Sequence, residues 1–425
     1  MPIRALLQAA MVLTLARGLV AAGPVADRME RAEKAAALAR RIAPRVEEIR
    51  GRKFKRPVSV EVVDAETARN HFVQRISKTW PEERLRLDQR IYVHLGLLPE
   101  ETDVLSSLLD ILSEQAWGYY DPERDTFFVL EDVPQHTAPV LMAHELTHAL
   151  DDQHYGLDAL IEATRDDEDR AAALSAVIEG SGTAVMTVFM LEEIRAGRME
   201  EDVFDRINAS EAGQADALRA APPFLRRGLM APYVLGVRFV LRGDPRRLSR
   251  GRFDPRDLDR AFEQPPLSSE QILHPEKYWD QSKADPPRPV RLPDLSAGLG
   301  EGWSLVAEGR LGELVLAQLA GSEGPAFPSP DPYPPSLWTN AAARGLAGDR
   351  YSHYVNGGHS LTLLGTLWDG PDEAEEFLES LTPLAGRYDL LRGSWVFLVA
   401  GDVRGSLAEA LVAQALAAVG PAAAP

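Results

Sequence analysis

The chain contains no cysteine. That absence excludes disulfides, cysteine zinc sites, thiol nucleophiles and a lipidated N-terminal cysteine, so any metal must be held by His, Asp or Glu. Basic residues are also scarce: 46 Lys and Arg stand against 64 Asp and Glu, a formal charge of -18. Such a surplus repels phosphate backbones and anionic lipid, and nucleic acid is not an expected partner. No Gly-x-Ser-x-Gly elbow is present to support serine chemistry. Beyond the N-terminus, nothing reads as long and apolar enough to span a bilayer.

The N-terminus reads MPIRALLQAAMVLTLARGLVAAGPVA. Arg4, an apolar run and a small-residue site at Val20-Ala21-Ala22 form the layout of a secretory signal over residues 1–22. Arg17 interrupts that run, and an uncut membrane anchor is the rival reading, although a charge inside so short a segment is costly in hydrocarbon. The expectation is export to the periplasm or outside the cell, with no stable membrane insertion after cleavage. With 425 residues, 45% of them hydrophobic, the chain can bury a substantial core divided into two or three units.

Periodicity predicts a charged helix over about 24–50, a strand within 57–66 and a helical region over 82–114. The stretch AWGYYDPERDTFFVLED (116–132) has two aromatic-rich runs around Asp121-Pro122-Glu123-Arg124-Asp125, which is turn chemistry and predicts a β-hairpin. A helix from about Thr137-Ala138-Pro139 to Gly156 follows, then a long apolar one over 166–195. Proline-rich segments at 280–295 and 322–337 separate a larger part, 23–285, from a C-terminal unit, 286–425. That unit shows strands at 349–355, 359–369 and 393–403, with helices at 371–381 and 405–418. The expected fold class is α+β, predominantly α-helical.

The stretch VLMAHELTHALDDQH (140–154) carries the chemistry. Residues four apart on a helix share one face about 6 Å apart along the axis, so His144 and His148 can converge on one tetrahedral ion. Glu145 sits beside that face, where it could move a proton between an attacking water and a leaving amine. The plainer reading is a chance pattern of polar residues. Against it stand Val140, Leu141, Leu146, Ala149 and Leu150, which make the helix buriable, and the preceding hairpin, whose edge could receive extended substrate.

A catalytic site needs a third protein ligand, and two residues compete. His154 lies six residues after His148, a metzincin-like spacing, yet that pattern needs glycine where Asp151 stands and no breaker occurs before Gly156. Glu179, inside Ala176-Val177-Ile178-Glu179-Gly180, is expensive to bury unless paired or metal-bound, although a surface glutamate or an ion pair would also account for it.

HELTHAL followed by DDQHYGL, then AVIEG and PPLSSEQILHPEKY (265–278), resembles a group of poorly characterised bacterial exported proteins with gluzincin-type, thermolysin-like zinc-peptidase signatures. The likeness covers about residues 57–278. It implies a zincin-like catalytic core, Zn2+ held by His144, His148 and Glu179, Glu145 as general base, and a peptide or protein substrate. Thermolysin-like sites carry an aspartate four residues after the ligand glutamate to orient a histidine. Here Thr183 stands in that place, so Asp151 or Asp152 must take the role, or it is absent. An oxyanion donor is also needed. His274 is the first choice, because Pro275 fixes the backbone beside it, with Tyr278 and Tyr155 behind it and a packing role as the alternative. His71, His94, His136, His353 and His359 have no ligand-like spacing. The expected function is an exported zinc-dependent metallopeptidase. The alternatives are a catalytically inactive zinc-stabilised scaffold or binding protein, and an amide hydrolase of cell-wall crosslinks.

Overall fold

A computed structural model describes residues 25–419 apart from 80–81, 116–117, 132, 135, 204–205, 207–215, 251–252, 325–333, 385 and 404. The expected signal segment, 1–22, lies outside the described residues, as does 325–333 of the second proline-rich stretch.

The N-terminal helix, Val25–Arg50, buries Ala39, Ile42, Val46, Ile49 and Arg50, a three-and-four spacing that makes one continuous inner face. Gly51 ends it at φ +72°. The chain then forms β1, Ser59–Val63, which pairs in parallel with the second strand of the expected hairpin. That hairpin is β2, Gly118–Asp121, and β3, Thr126–Leu130, joined antiparallel, giving the order β1-β3-β2. Asp125 in its turn sits at φ +49°, a conformation Asp tolerates better than most residues. The crossover from β1 is helical: Ala65–Thr79, Glu82–His94 and Val104–Gln115. The single helical region expected over 82–114 is broken at Gly96, which adopts φ +80°.

Two buried helices form the centre. The motif helix, Ala138–Tyr155, places Pro139 in its first turn, where no partner is needed for a backbone N–H, and stops at left-handed Gly156, φ +67°. The glutamate helix, Glu168–Arg195, is capped by Asp167, whose side chain accepts from the Arg170 N–H. By length and composition this second helix could cross a membrane, which corrects the expectation that no such segment follows the N-terminus. Its most apolar window is, however, 72% buried inside the fold, as a core helix should be. A third helix, Pro223–Val240, crosses it so closely that a Cβ on Gly236 would stand 2.1 Å from the Ala176 carbonyl oxygen, and one on Gly180 2.5 Å from Gly236. Only glycine permits that approach.

The C-terminal part holds a five-stranded sheet, β4 (Ser304–Gly309), β5 (Leu346–Asn356), β6 (His359–Trp368), β7 (Arg387–Arg392) and β8 (Trp395–Gly401), in the order β4-β5-β6-β8-β7 with every neighbouring pair antiparallel. Helices Pro371–Ser380 and Gly405–Val419 complete it. Three of these strands were expected; β4 and β7 were not. One hydrophobic cluster joins Leu108 and Phe224 to Trp368 and Phe377, so packing is continuous between this sheet and the helices before residue 285.

Three consecutive acids at the start of the glutamate helix also join the parts. Asp167 receives both Nε and a terminal nitrogen of Arg310 at 2.9–3.0 Å. Glu168 accepts from the Tyr92 and Tyr351 hydroxyls at 2.6 and 2.7 Å, and Asp169 from the N–H and hydroxyl of Ser269 at 2.7 and 2.5 Å. The C-terminal part thereby holds the helix that carries Glu179.

Candidate metal centre

The motif helix projects His144 and His148 to one side, with ring centroids 4.5 Å apart and planes at 79°. Their Nε2 atoms stand 2.8 Å apart. Glu179 Oε2 comes within 3.2 Å of His144 Nε2 and 3.5 Å of His148 Nε2. His144, Glu145, His148 and Glu179 are all buried. The approach depends on the Glu179-Gly180-Ser181-Gly182 run: a Cβ at Gly182 would lie 2.8–3.0 Å from the His144 ring, so glycine there lets the ring lie against the helix.

Burial, and then the neighbouring His148, lower the pKa of His144, while Glu179 opposes the shift. Burial pushes His148 down to about 4. It raises Glu179, against hydrogen bonds from His144 and Tyr233. Both rings are therefore neutral at physiological pH and keep lone pairs to offer.

These three residues fit a divalent cation. Ligand atoms held about 2.0–2.2 Å from a tetrahedral centre stand roughly 3.3–3.6 Å apart, and the observed triangle is close to that size. Two imidazoles and one carboxylate, without sulfur, are a donor set suited to a divalent transition ion.

The structure does not bring His154 to this cluster. It lies six residues, or 600°, beyond His148 on an unbroken helix, and its Nε2 stands 2.8 Å from the Lys53 carbonyl oxygen. His274 is also elsewhere. It caps the short helix Ser269–Leu273, and its Nε2 meets Glu313 Oε1 at 3.0 Å. Ser269, at the start of that helix, bonds Asp169, ten residues or about 15 Å along the helix from Glu179. Tyr278 donates to the Gln264 carbonyl and Tyr155 to Asp259, so neither faces the histidine pair.

Asp151 and Asp152 do not hydrogen-bond a ligand ring. Asp152 accepts from Tyr120 and from the Leu157 N–H. Asp151 accepts from Arg50 Nε at 2.7 Å and from the Ser181 hydroxyl at 2.5 Å. Nδ1 of His144, Nδ1 of His148 and Oγ1 of Thr183 are buried without hydrogen-bond partners. Among the described residues no carboxylate hydrogen-bonds Nδ1 of His144 or His148 to orient it. Arg50, Asp151 and Ser181 instead tie together the three helices around the cluster.

Sequence reasoning missed Tyr233, Ser181 and Arg50. Tyr233 lies on the third helix, with its ring 6.1 Å from that of His144 at 27° and its hydroxyl bonded to Glu179. A lone tyrosine in FLRRGLMAPYVLGVRFV carries no spacing signal. The pairing of Arg50 with Asp151 spans 101 positions.

No protein-family model and no curated protein matches the chain. Among solved structures, a chain from Chloroflexus aurantiacus provisionally described as a hydrolase with a novel fold aligns over 65% of this chain and 95% of its own length, with 20% identity and a TM-score of 0.38. A likeness of that size fixes neither the fold nor the chemistry of this protein.

Proposed function

We propose that the protein is an exported zinc-dependent hydrolase acting on peptide bonds. The observation that carries this reading is the convergence of His144 Nε2, His148 Nε2 and Glu179 Oε2 within 2.8–3.5 Å, with Glu145 buried next to the first of them in sequence. His144, His148 and Glu179 would hold a divalent cation, which would supply Lewis acidity toward a carbonyl and lower the pKa of a bound water. Glu145 accepts the proton of the attacking water and returns it to the leaving nitrogen. In place of His274, the Tyr233 hydroxyl is the nearest donor for the oxygen that gains charge, provided its single proton, which bonds Glu179 in this structure, turns to that oxygen when Glu179 binds the cation.

The test is metal analysis together with peptide turnover. Wild-type protein is expected to hold about one zinc per chain, and Glu145→Gln to keep that ion while losing cleavage by 10²-fold or more. A wild type that takes up no transition metal overturns the reading. A second reading, a metal-stabilised scaffold without turnover, is favoured by the burial of all four side chains. A metal-loaded wild type that cleaves no member of a peptide library would select it.

A further inference from the structure

A cleft of about 580 Å³ lies where the start of the glutamate helix meets the proline-rich segment and the C-terminal sheet. Four arginines line it, Arg170, Arg291, Arg310 and Arg350, against two carboxylates, Asp167 and Glu308, in a chain whose net charge is -18. Both carboxylates are already engaged: Asp167 takes the fork of Arg310, and Glu308 lies 3.4 Å from Arg350. Arg170 and Arg291 have no ion pair within the described residues, and Arg170 Nε is buried without an acceptor. A guanidinium N–H taken out of water without a partner is an unmet donor, which an incoming anion can satisfy. The rest of the lining is apolar and stiff, with Pro287, Pro289, Val290 and Leu292 beside Leu267, which at 40% is the most exposed large hydrophobic residue described.

We infer that this cleft binds an acidic peptide segment, with carboxylates on Arg170 and Arg291 and an apolar side chain against Leu267 and the proline wall. Guanidinium groups match carboxylates with two parallel N–H···O bonds, and two unpaired arginines on separate elements suit an extended chain with spaced charges. A nucleotide is less suited, because the lining contains no aromatic ring on which a base could stack. The cleft volume lies in the range of ordinary ligand pockets. Arg170 precedes Glu179 by nine residues, half a turn out of phase and about 13 Å along the helix, so the cleft faces away from the metal cluster and stands independently of the hydrolytic reading.

The probe is a fluorescein-labelled nonapeptide of alternating Glu and Leu, followed by anisotropy with the full chain at low salt. Wild type is expected to bind it, and the double variant Arg170→Ala, Arg291→Ala to bind at least roughly tenfold more weakly. A control pair on another face, Arg86→Ala with Arg90→Ala, should change binding less than about twofold. Arg291→Ala alone changes an exposed side chain without a partner, so it folds and should still weaken binding severalfold. The inference is overturned if a Gln-Leu peptide binds equally well, if the control pair loses as much as the cleft pair, if wild type binds no better than the double variant, or if anionic vesicles compete the peptide away.

Discussion

At the scale of single residues, the cluster is governed by what stands beside each ring. Gly182 is the clearest case, because a methyl group there would meet His144 Cε1 and Nε2 at 2.8 and 2.9 Å. The flexible end of the clash is the ring itself, so the helix can persist while the ligand moves. Gly182→Ala is therefore expected to weaken zinc affinity about tenfold or more, an overpacking cost on the order of 1–3 kcal/mol, measured by competition with a chromophoric chelator. His154→Ala, which removes the contact with the Lys53 carbonyl and the ring contact with Tyr155, should leave that affinity unchanged. If His154→Ala strips the metal and Gly182→Ala does not, the ligand assignment is wrong.

At the scale of elements, the cluster exists because four helices are pinned at fixed depths. Gly180 and Gly236 let the glutamate helix and its neighbour touch backbone to backbone, which brings Tyr233 level with Glu179. The N-terminal helix contributes Arg50, fully buried, bridging Asp151 at 2.7 Å and Asp259 at 2.7 Å. Removing one partner of a buried pair leaves the other charge uncompensated. Arg50→Met is expected to destabilise the protein by about 3–5 kcal/mol in denaturant unfolding, more than Ser181→Ala at about 1 kcal/mol, because the serine hydroxyl is neutral. A loss below 1 kcal/mol for Arg50→Met would show that the helix is an accessory segment and not part of the fold.

At the scale of the whole molecule, the junction between the helices and the C-terminal sheet holds buried titratable groups. Burial pushes Asp349 up to about 7, and Asp88 and Glu270 up to about 8, against the arginine or lysine beside each. Burial also pushes His94 down to about 4 and His353 to about 3. An unfolded chain releases the carboxyl protons near pH 4, whereas the fold retains them to about pH 7–8, so these groups withdraw stability as pH rises through that interval. The histidines act in the opposite sense, but only below about pH 6.5, where the unfolded chain takes up protons that the fold refuses. Between pH 7 and 8 most histidines of the unfolded chain are already neutral, and the carboxyls dominate. The melting temperature is expected to fall across that interval, and Asp349→Asn should flatten the fall relative to wild type. A melting temperature that rises from pH 7 to 8 would contradict the protonated state of Asp349.

Much of the local architecture was legible from periodicity and turn chemistry. The hairpin about Asp121–Asp125, the motif helix ending at Gly156 and the central strands β5, β6 and β8 all follow from patterns a few residues long. The strands β4 and β7 escaped because each lies at a sheet edge with half-exposed, charged faces, and so lacks the apolar run that marks a central strand.

The apolar pattern of 140–150 with Pro139 and Gly156 at its ends was enough to place both imidazoles on one helix, and a four-residue spacing on a 3.6-residue turn then puts them on one face. The sequence by itself also settled that no sulfur could join them. Only tertiary structure decided that Glu179 and not His154 meets the pair, that Tyr233 stands over the cluster in place of His274, and that Arg50 braces it through Asp151. Those outcomes depend on how closely helices approach, and glycines at 180, 182 and 236 set that distance by lacking a Cβ. Spacing along a chain reports which residues share a face, whereas contact between faces is a property of packing.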